Sequence, residues 1–129
     1  MTPGLLLLAH GARDPRWALP FVDIVQRIRV ARPEVAVELA FLEFMSPDVL
    51  VAGHRLAAAG CGRVEVLPLF LGAGGHVRKD LPQLLDQLAG QHPSVRWRLR
   101  SAIGEADAII AAMAVEAMRL LADPDDAPR

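Results

Sequence analysis

The chain has 129 residues, 53% of them hydrophobic and 22% charged, with a formal net charge of −1 and a single cysteine, Cys61. That length suits one domain with its own core. The near-neutral balance, with no arginine-rich or aromatic-rich run, speaks against nucleic acid; the lack of about 18 consecutive uncharged apolar residues speaks against a membrane span; and one cysteine excludes an internal disulfide framework or a CxxC metal site within one chain.

The high apolar content fits strands buried on both faces, which appear in sequence as continuous apolar runs. Residues 4–9, GLLLLA, form the first such run. They are too few for a secretory h-region and lack a basic n-region before them, so a cytoplasmic protein is expected. The run is short and ends at a glycine, which favours a buried strand over a helix. The loop His10-Gly11-Ala12-Arg13 follows, and Asp14-Pro15 is a good helix start. Trp17, Phe21, Ile24, Val25 and Ile28 fall at helical spacing, predicting a helix over 17–30 that Pro33 stops. Residues 35–41 alternate and predict a second strand running into Leu42-Glu43-Phe44-Met45. Ser46 is expected to cap a second helix, with Pro47 at its first position and Asp48 in its first turn, ending near Ala59. Residues 63–69 predict a third strand that meets Phe70-Leu71-Gly72-Ala73-Gly74-Gly75-His76. An amphipathic run over 77–88 predicts a third helix and 95–99 a fourth strand. A last helix opens at Gly104 and is apolar through Ile109, Ile110, Met113, Met118 and Leu121. The tail 123–129 is polar, holds two prolines and is expected to fray. The order βαβαβαβα implies a single α/β domain over 1–122, a four-stranded parallel sheet with right-handed crossovers and helices on both faces.

In an open α/β sheet, ligands bind outside the carboxyl ends of the strands. His10, Glu43 and His76 come from the ends of three successive strands, so this topology brings them to one edge. Two imidazoles and a carboxylate make a mixed nitrogen and oxygen set suited to first-row divalent metals, and a neutral imidazole can equally accept a proton. The plainer alternative is that each loop histidine makes a backbone hydrogen bond and Glu43 caps a neighbouring helix. His54, inside the second helix, and His92, before Pro93, lie away from that edge and are expected to be surface or structural residues. Gly72-Ala73-Gly74-Gly75 invites an anion, as glycine-rich turns before helices do, yet it is neither a P-loop nor a GxGxxG fingerprint. Glycines there would also let a flat, bulky ligand approach the backbone. Arg13, Arg16, Arg78 and Lys79 flank the two histidine loops, either as solvated helix starts or as partners for ligand carboxylates. Phe44, Met45, Phe70 and Leu71 could line an apolar wall nearby or belong to the core. Cys61 sits in a helix-to-strand turn and is expected to be a passive small residue.

The segments LLLLAHGARDPRW, LAFLEFMSP and VLPLFLGAGGHVRKDLP closely resemble the small, single-half sirohydrochlorin cobaltochelatase family, relatives of the class II tetrapyrrole chelatases. The similarity runs from Leu5 to about Leu121. It implies a flavodoxin-like chelatase half-domain and a lyase that inserts a divalent metal into sirohydrochlorin without ATP, in cobalamin- or siroheme-type tetrapyrrole biosynthesis. Cobalt is the metal most expected as substrate; iron and nickel are inserted by close relatives. His10 and His76 match the family's metal-handling histidines and Glu43 the glutamate of its FLE segment, one of these groups taking the displaced pyrrole protons. Arg13, Arg78 and Lys79 then meet the macrocycle's carboxylates, Phe44 and Met45 its apolar surface, and Gly74 and Gly75 give it clearance. Longer chelatases carry two halves in one chain, and short members are expected to form homodimers around the substrate cleft. This sequence shows no second half, no histidine-rich tail and no cysteine-rich tail for an iron–sulfur cluster, so no cluster is expected. The alternatives are a non-catalytic metal or tetrapyrrole carrier using the same residues, and a flavodoxin-like nucleotide or phosphate module using the glycine loop.

Overall fold

The computed structural model describes residues 1–72 and 74–122, apart from the side chain of His76; Ala73 and the tail 123–129, with its expected fraying, lie outside the described residues. Four strands, β1 (Thr2–Ala9), β2 (Ala36–Phe41), β3 (Cys61–Pro68) and β4 (Arg96–Leu99), alternate with four helices, α1 (Leu19–Ala31), α2 (Val49–Ala58), α3 (Gly75–Gln91) and α4 (Asp107–Ala122). The strands form one parallel sheet in the order β2-β1-β3-β4. This is the expected architecture, a four-stranded parallel α/β fold.

The leucine run of β1 is explained by its central place. Leu6 and Leu8 point into a core shared with Val64 and Val66 of β3, Ala52 and Leu56 of α2, and Leu81, Leu85 and Leu88 of α3. Leu7 points the other way, into a second core with Val25 of α1 and Val37 of β2. A strand with a helix layer on each side has no polar face to display, so its sequence does not alternate. Beyond β1 the α1 side of the sheet becomes polar. Val64 and Val66 pair with Trp97 and Leu99, so their neighbours Glu65 and Arg98 face the α1 side, where they meet at 3.6 Å. Arg100 adds a second bond to Glu65, at 2.9 Å.

Three local expectations change. Asp14 does cap a helix start, accepting from the Arg16 N–H at 2.9 Å, but the turn Pro15–Ala18 is a 3₁₀ helix and α1 begins at Leu19. The cap of α2 is Asp48, not Ser46: its backbone is extended and its carboxylate accepts from the Val51 N–H at 2.9 Å. Pro47 lies outside the helix in a cis Ser46–Pro47 peptide, and its carbonyl accepts from Phe41 N–H at 2.9 Å. Finally, α3 starts at Gly75, with Gly74 as N-cap, so His76 belongs to the first helical turn and not to the loop.

Candidate functional site

The carboxyl ends of the strands are tied together by hydrogen bonds that continue past the strands themselves. Leu42 N–H donates to the Ala9 carbonyl and Glu43 N–H to the His10 carbonyl, each at 3.0 Å. Leu69 N–H donates to Leu8 at 2.7 Å, and Arg100 N–H to Val66 at 2.8 Å. The edge is therefore a fixed platform and not a set of loose loops. His10 stands on it. Its ring stacks on Phe70 with centroids 4.0 Å apart and an interplanar angle of 23°. Phe70 is only 3% exposed, whereas His10 is exposed. The imidazole thus rests one face on the core and turns its edge to solvent. Phe70, expected as either wall or core, serves as both.

Gly11 explains how the Glu43 loop comes so close. Its φ is +94°, and a Cβ placed there would lie 1.8 Å from the Glu43 carbonyl oxygen. Glu43 is held by its backbone on both sides, its N–H on His10 and its carbonyl accepting from Met45 N–H at 2.8 Å. Its side chain is exposed, and the helix cap considered for it belongs to Asp48. Phe44 follows with φ +66°, a conformation that costs a side chain about 1–2 kcal/mol and that tends to persist at functional loops. Its ring is 58% exposed, and the Arg13 guanidinium lies over it, 5.0 Å from the centroid. Arg13 and Phe44 are thus one unit, a cation resting on an aromatic face. Met45 is half-buried.

Arg16 is engaged elsewhere: its guanidinium and, second, its backbone N–H donate to the Asp14 carboxylate and hold that carboxyl below the usual carboxylate range. Arg78 and Lys79 are exposed near the start of α3. Arg78 also lines a cleft of about 290 Å³ with Pro68, Val77, Arg100 and Glu105. Arg100, just past the end of β4, was not singled out from the sequence. Gly72, Gly74 and Gly75 face open space, since a Cβ at any of them meets nothing within 4 Å. Packing among the described residues does not demand these glycines. Among the described residues no group of three or more histidine, cysteine, aspartate or glutamate side chains converges on one point. His10 and Glu43 share the edge; the side chain of His76 lies outside the described residues.

The other two histidines do something the sequence did not show. His54 Nδ1 and His92 Nε2 are 2.5 Å apart, joining α2 to the turn before β4 at the opposite end of the sheet. They border a cleft of about 350 Å³ that also touches Met1 and Cys61. Cys61 is buried, and burial pushes its thiol up, which suits the passive role expected of it.

The profile of the CbiX family matches residues 4–119. The chain belongs to the CbiX family. Among curated relatives, the sirohydrochlorin cobaltochelatase of Sulfurisphaera tokodaii is 30% identical over 90 residues, covering 67% of this chain and 71% of that protein. The sirohydrochlorin cobaltochelatase of Saccharolobus islandicus is 37% identical over 82 residues, and the match spans 64% of this chain but only 62% of the relative. Among solved structures, a protein assigned to cobalamin (vitamin B12) biosynthesis as CbiX, from Marinobacter aquaeolei VT8, superposes with a TM-score of 0.79 at 30% identity, covering 92% of this chain and 97% of that one. The sirohydrochlorin chelatase SirB of Bacillus subtilis subspecies spizizenii, in complex with cobalt, gives 0.80 at 21% identity; 93% of this chain is covered, but it spans only 51% of SirB. SirB of Bacillus subtilis with Fe3+ gives 0.79 at 22% identity. The SirB likenesses speak for the fold. No helix among the described residues is long and apolar enough to cross a membrane.

Proposed function

We propose that this chain is a cytoplasmic, ATP-independent sirohydrochlorin chelatase that inserts a divalent metal, cobalt foremost, into the macrocycle as a homodimer. The observation that carries this reading is the backbone link between His10 and Glu43 at the carboxyl edge, beside open glycines, in a family whose relatives bear that name. Insertion exchanges the hydrated ion's waters for four pyrrole nitrogens and releases two N–H protons. The chemistry needs donors that take the metal temporarily and a base close by.

His10 supplies the first donor. Its ring stacks on Phe70, which favours one direction for its edge. His76, in the first turn of α3, supplies the second imidazole. Glu43 receives the pyrrole protons or joins the ligands. A positioned base contributes about 100- to 10,000-fold in rate. The macrocycle lies over Gly74 and Gly75 and against Phe44 and Met45, with its carboxylates on Arg13, Arg78 and Lys79. The ligand set is borderline and accepts several divalent ions, so affinity order alone does not choose among cobalt, iron and nickel. The names of the archaeal relatives favour cobalt; the SirB structures with cobalt and with Fe3+ keep iron in play.

The test is an anaerobic assay with sirohydrochlorin and cobalt, iron or nickel, followed by the change in the macrocycle's absorption. Many equivalents converted per protein, fastest with cobalt, support the reading. Stoichiometric binding without turnover would make the chain a carrier, and tight flavin or nucleotide binding with none of tetrapyrrole would make it a nucleotide module.

A further inference from the structure

We infer that His54 and His92 form a second metal site, which takes a borderline divalent ion such as cobalt, nickel or copper between α2 and the turn before β4. The pair lies at the other end of the sheet from His10 and Glu43, so this site is independent of the chelatase reading. His54 Nδ1 and His92 Nε2 converge to 2.5 Å, with ring centroids 4.8 Å apart and planes inclined at 66°. One nitrogen of each ring is thus turned toward the same point. A metal held about 2.0–2.1 Å from two neighbouring nitrogens keeps them roughly 3 Å apart. The rings need to open by about half an ångström to admit it.

The backbone beneath the pair is fixed. His92 N–H donates to the Leu88 carbonyl at 2.8 Å, and the His92 carbonyl accepts from Val95 N–H at 3.0 Å. His54 follows Gly53, where a Cβ would come within 2.7 Å of both Leu88 methyl carbons. Leu88 is fully buried. Helices α2 and α3 therefore meet at Leu88, and the two imidazoles are carried by the segments that this contact locks together. Two ligands 38 residues apart in the chain are in place before an ion arrives. Little ordering is left to oppose binding.

The surroundings choose the class of ion. The pair borders a cleft of about 350 Å³ that also touches Ser94, so water can fill the remaining coordination positions. Cys61 lines the same cleft but is no ligand: it is buried, and a Cβ on Gly4 would lie 2.9 Å from its sulfur. Among the described residues lining the cleft none carries a carboxylate, which denies calcium and magnesium the oxygen set they need. Two neutral imidazoles suit cobalt, nickel, copper and zinc, with copper the tightest of that series. With only two protein donors the ion is exchangeable, unlike one in a closed four-ligand structural site. Without an ion, one neutral ring donates its N–H to the other. On binding, that proton moves through solvent to the same ring's other nitrogen, so that both lone pairs face the ion and no net proton is lost. Two coordinate bonds then join α2 to the turn in place of one hydrogen bond.

Trp97 is the local reporter, since its ring centroid is 6.3 Å from that of His92. Trp17 is the chain's other tryptophan, so Trp17→Phe isolates the signal. Copper(II) sulfate, and separately cobalt(II) chloride, are titrated into the full chain carrying Trp17→Phe. The same titrations follow with His54→Gln, His92→Gln or His10→Ala added. An ion at the pair is expected to quench Trp97 emission saturably at one equivalent, copper more tightly than cobalt. Each glutamine variant is expected to raise the half-quenching concentration at least tenfold, and His10→Ala to leave it unchanged. His54 is exposed and His92 half-buried, so both glutamine variants are expected to stay folded, which circular dichroism checks. No saturable quenching, or quenching that survives either glutamine substitution, overturns the site and leaves the pair as a hydrogen-bonded contact. Quenching lost in His10→Ala and kept in the glutamine variants would place the ion at the carboxyl edge, which overturns it equally.

Discussion

Replacing Gly11 by alanine tests how the site is held. Gly11 has φ +94°, and its new Cβ would sit 1.8 Å from the Glu43 carbonyl oxygen and 3.0 Å from the carbonyl carbon. Two costs arise. The backbone conformation alone disfavours a side chain by about 1–2 kcal/mol. The overlap is with main chain, so no rotamer change relieves it; relief requires moving the Glu43 loop and stretching its bond to His10, for a further roughly 2–4 kcal/mol. Gly60 is the internal control. Its φ is +88°, and a Cβ there meets nothing within 4 Å. Gly60→Ala should therefore show the backbone cost only, about 1–2 kcal/mol. At about 4 °C per kcal/mol for a domain of this size, Gly11→Ala should melt roughly 8–16 °C lower than Gly60→Ala. If the loop moves instead, part of that loss is exchanged for a displaced Glu43 and a slower insertion. Urea and thermal unfolding, paired with the cobalt assay, read both. Equal melting of the two variants with full activity in Gly11→Ala would refute the reasoning.

Phe70→Leu keeps an apolar side chain under His10 but removes the stacked ring; it should leave the melting temperature within a few degrees, yet lower kcat by about tenfold or more through loss of imidazole orientation, and an unchanged kcat would show that the stack does not position His10. Asp48→Ala removes the cap of α2 and should cost about 1 kcal/mol in urea unfolding; no change would mean that Asp48 is dispensable as a cap. Cys61 bears on alkaline stability. Its thiol is pushed up by burial in the folded chain, so its contribution is complete below the unfolded thiol's pKa of about 8.5 and is lost as pH rises through the higher folded value. Cys61→Ala should flatten the fall in urea midpoint above about pH 8.5, and parallel curves for the two proteins would contradict this. The same burial makes Cys61 slow toward a thiol reagent until the chain unfolds.

What the sequence disclosed depended on how local the signal was. The leucine run of β1 and the glycine stops sufficed for a parallel sheet, because burial on both faces leaves a run that no amphipathic helix shows. The helix starts were less legible. Ser46, Pro47 and Asp48 are all good starters, and the choice fell to whichever side chain could reach an N–H three residues on, which is Asp48. Gly74 capped α3 early enough to draw His76 into the helix. His10 and Glu43 were found because parallel topology sends strand ends to one edge. The support beneath them was not: the Phe70 stack, the Gly11 contact and the Arg13–Phe44 pairing are tertiary contacts without a sequence period. The same holds for His54 and His92, which meet across 38 residues of chain. The apolar character of α4 was plain from its residues, whereas the exposure of its apolar side chains among the described residues needed the structure.

The most direct test of the chelatase reading is steady-state cobalt insertion into sirohydrochlorin by wild type, His10→Ala and Glu43→Gln, with melting curves to verify folding. The account predicts multiple turnovers by wild type, insertion by His10→Ala reduced to the metal-only background, a rate at least tenfold lower for Glu43→Gln, and three closely similar melting curves. Wild-type rates in a folded His10→Ala protein, or no turnover by any form, would contradict it.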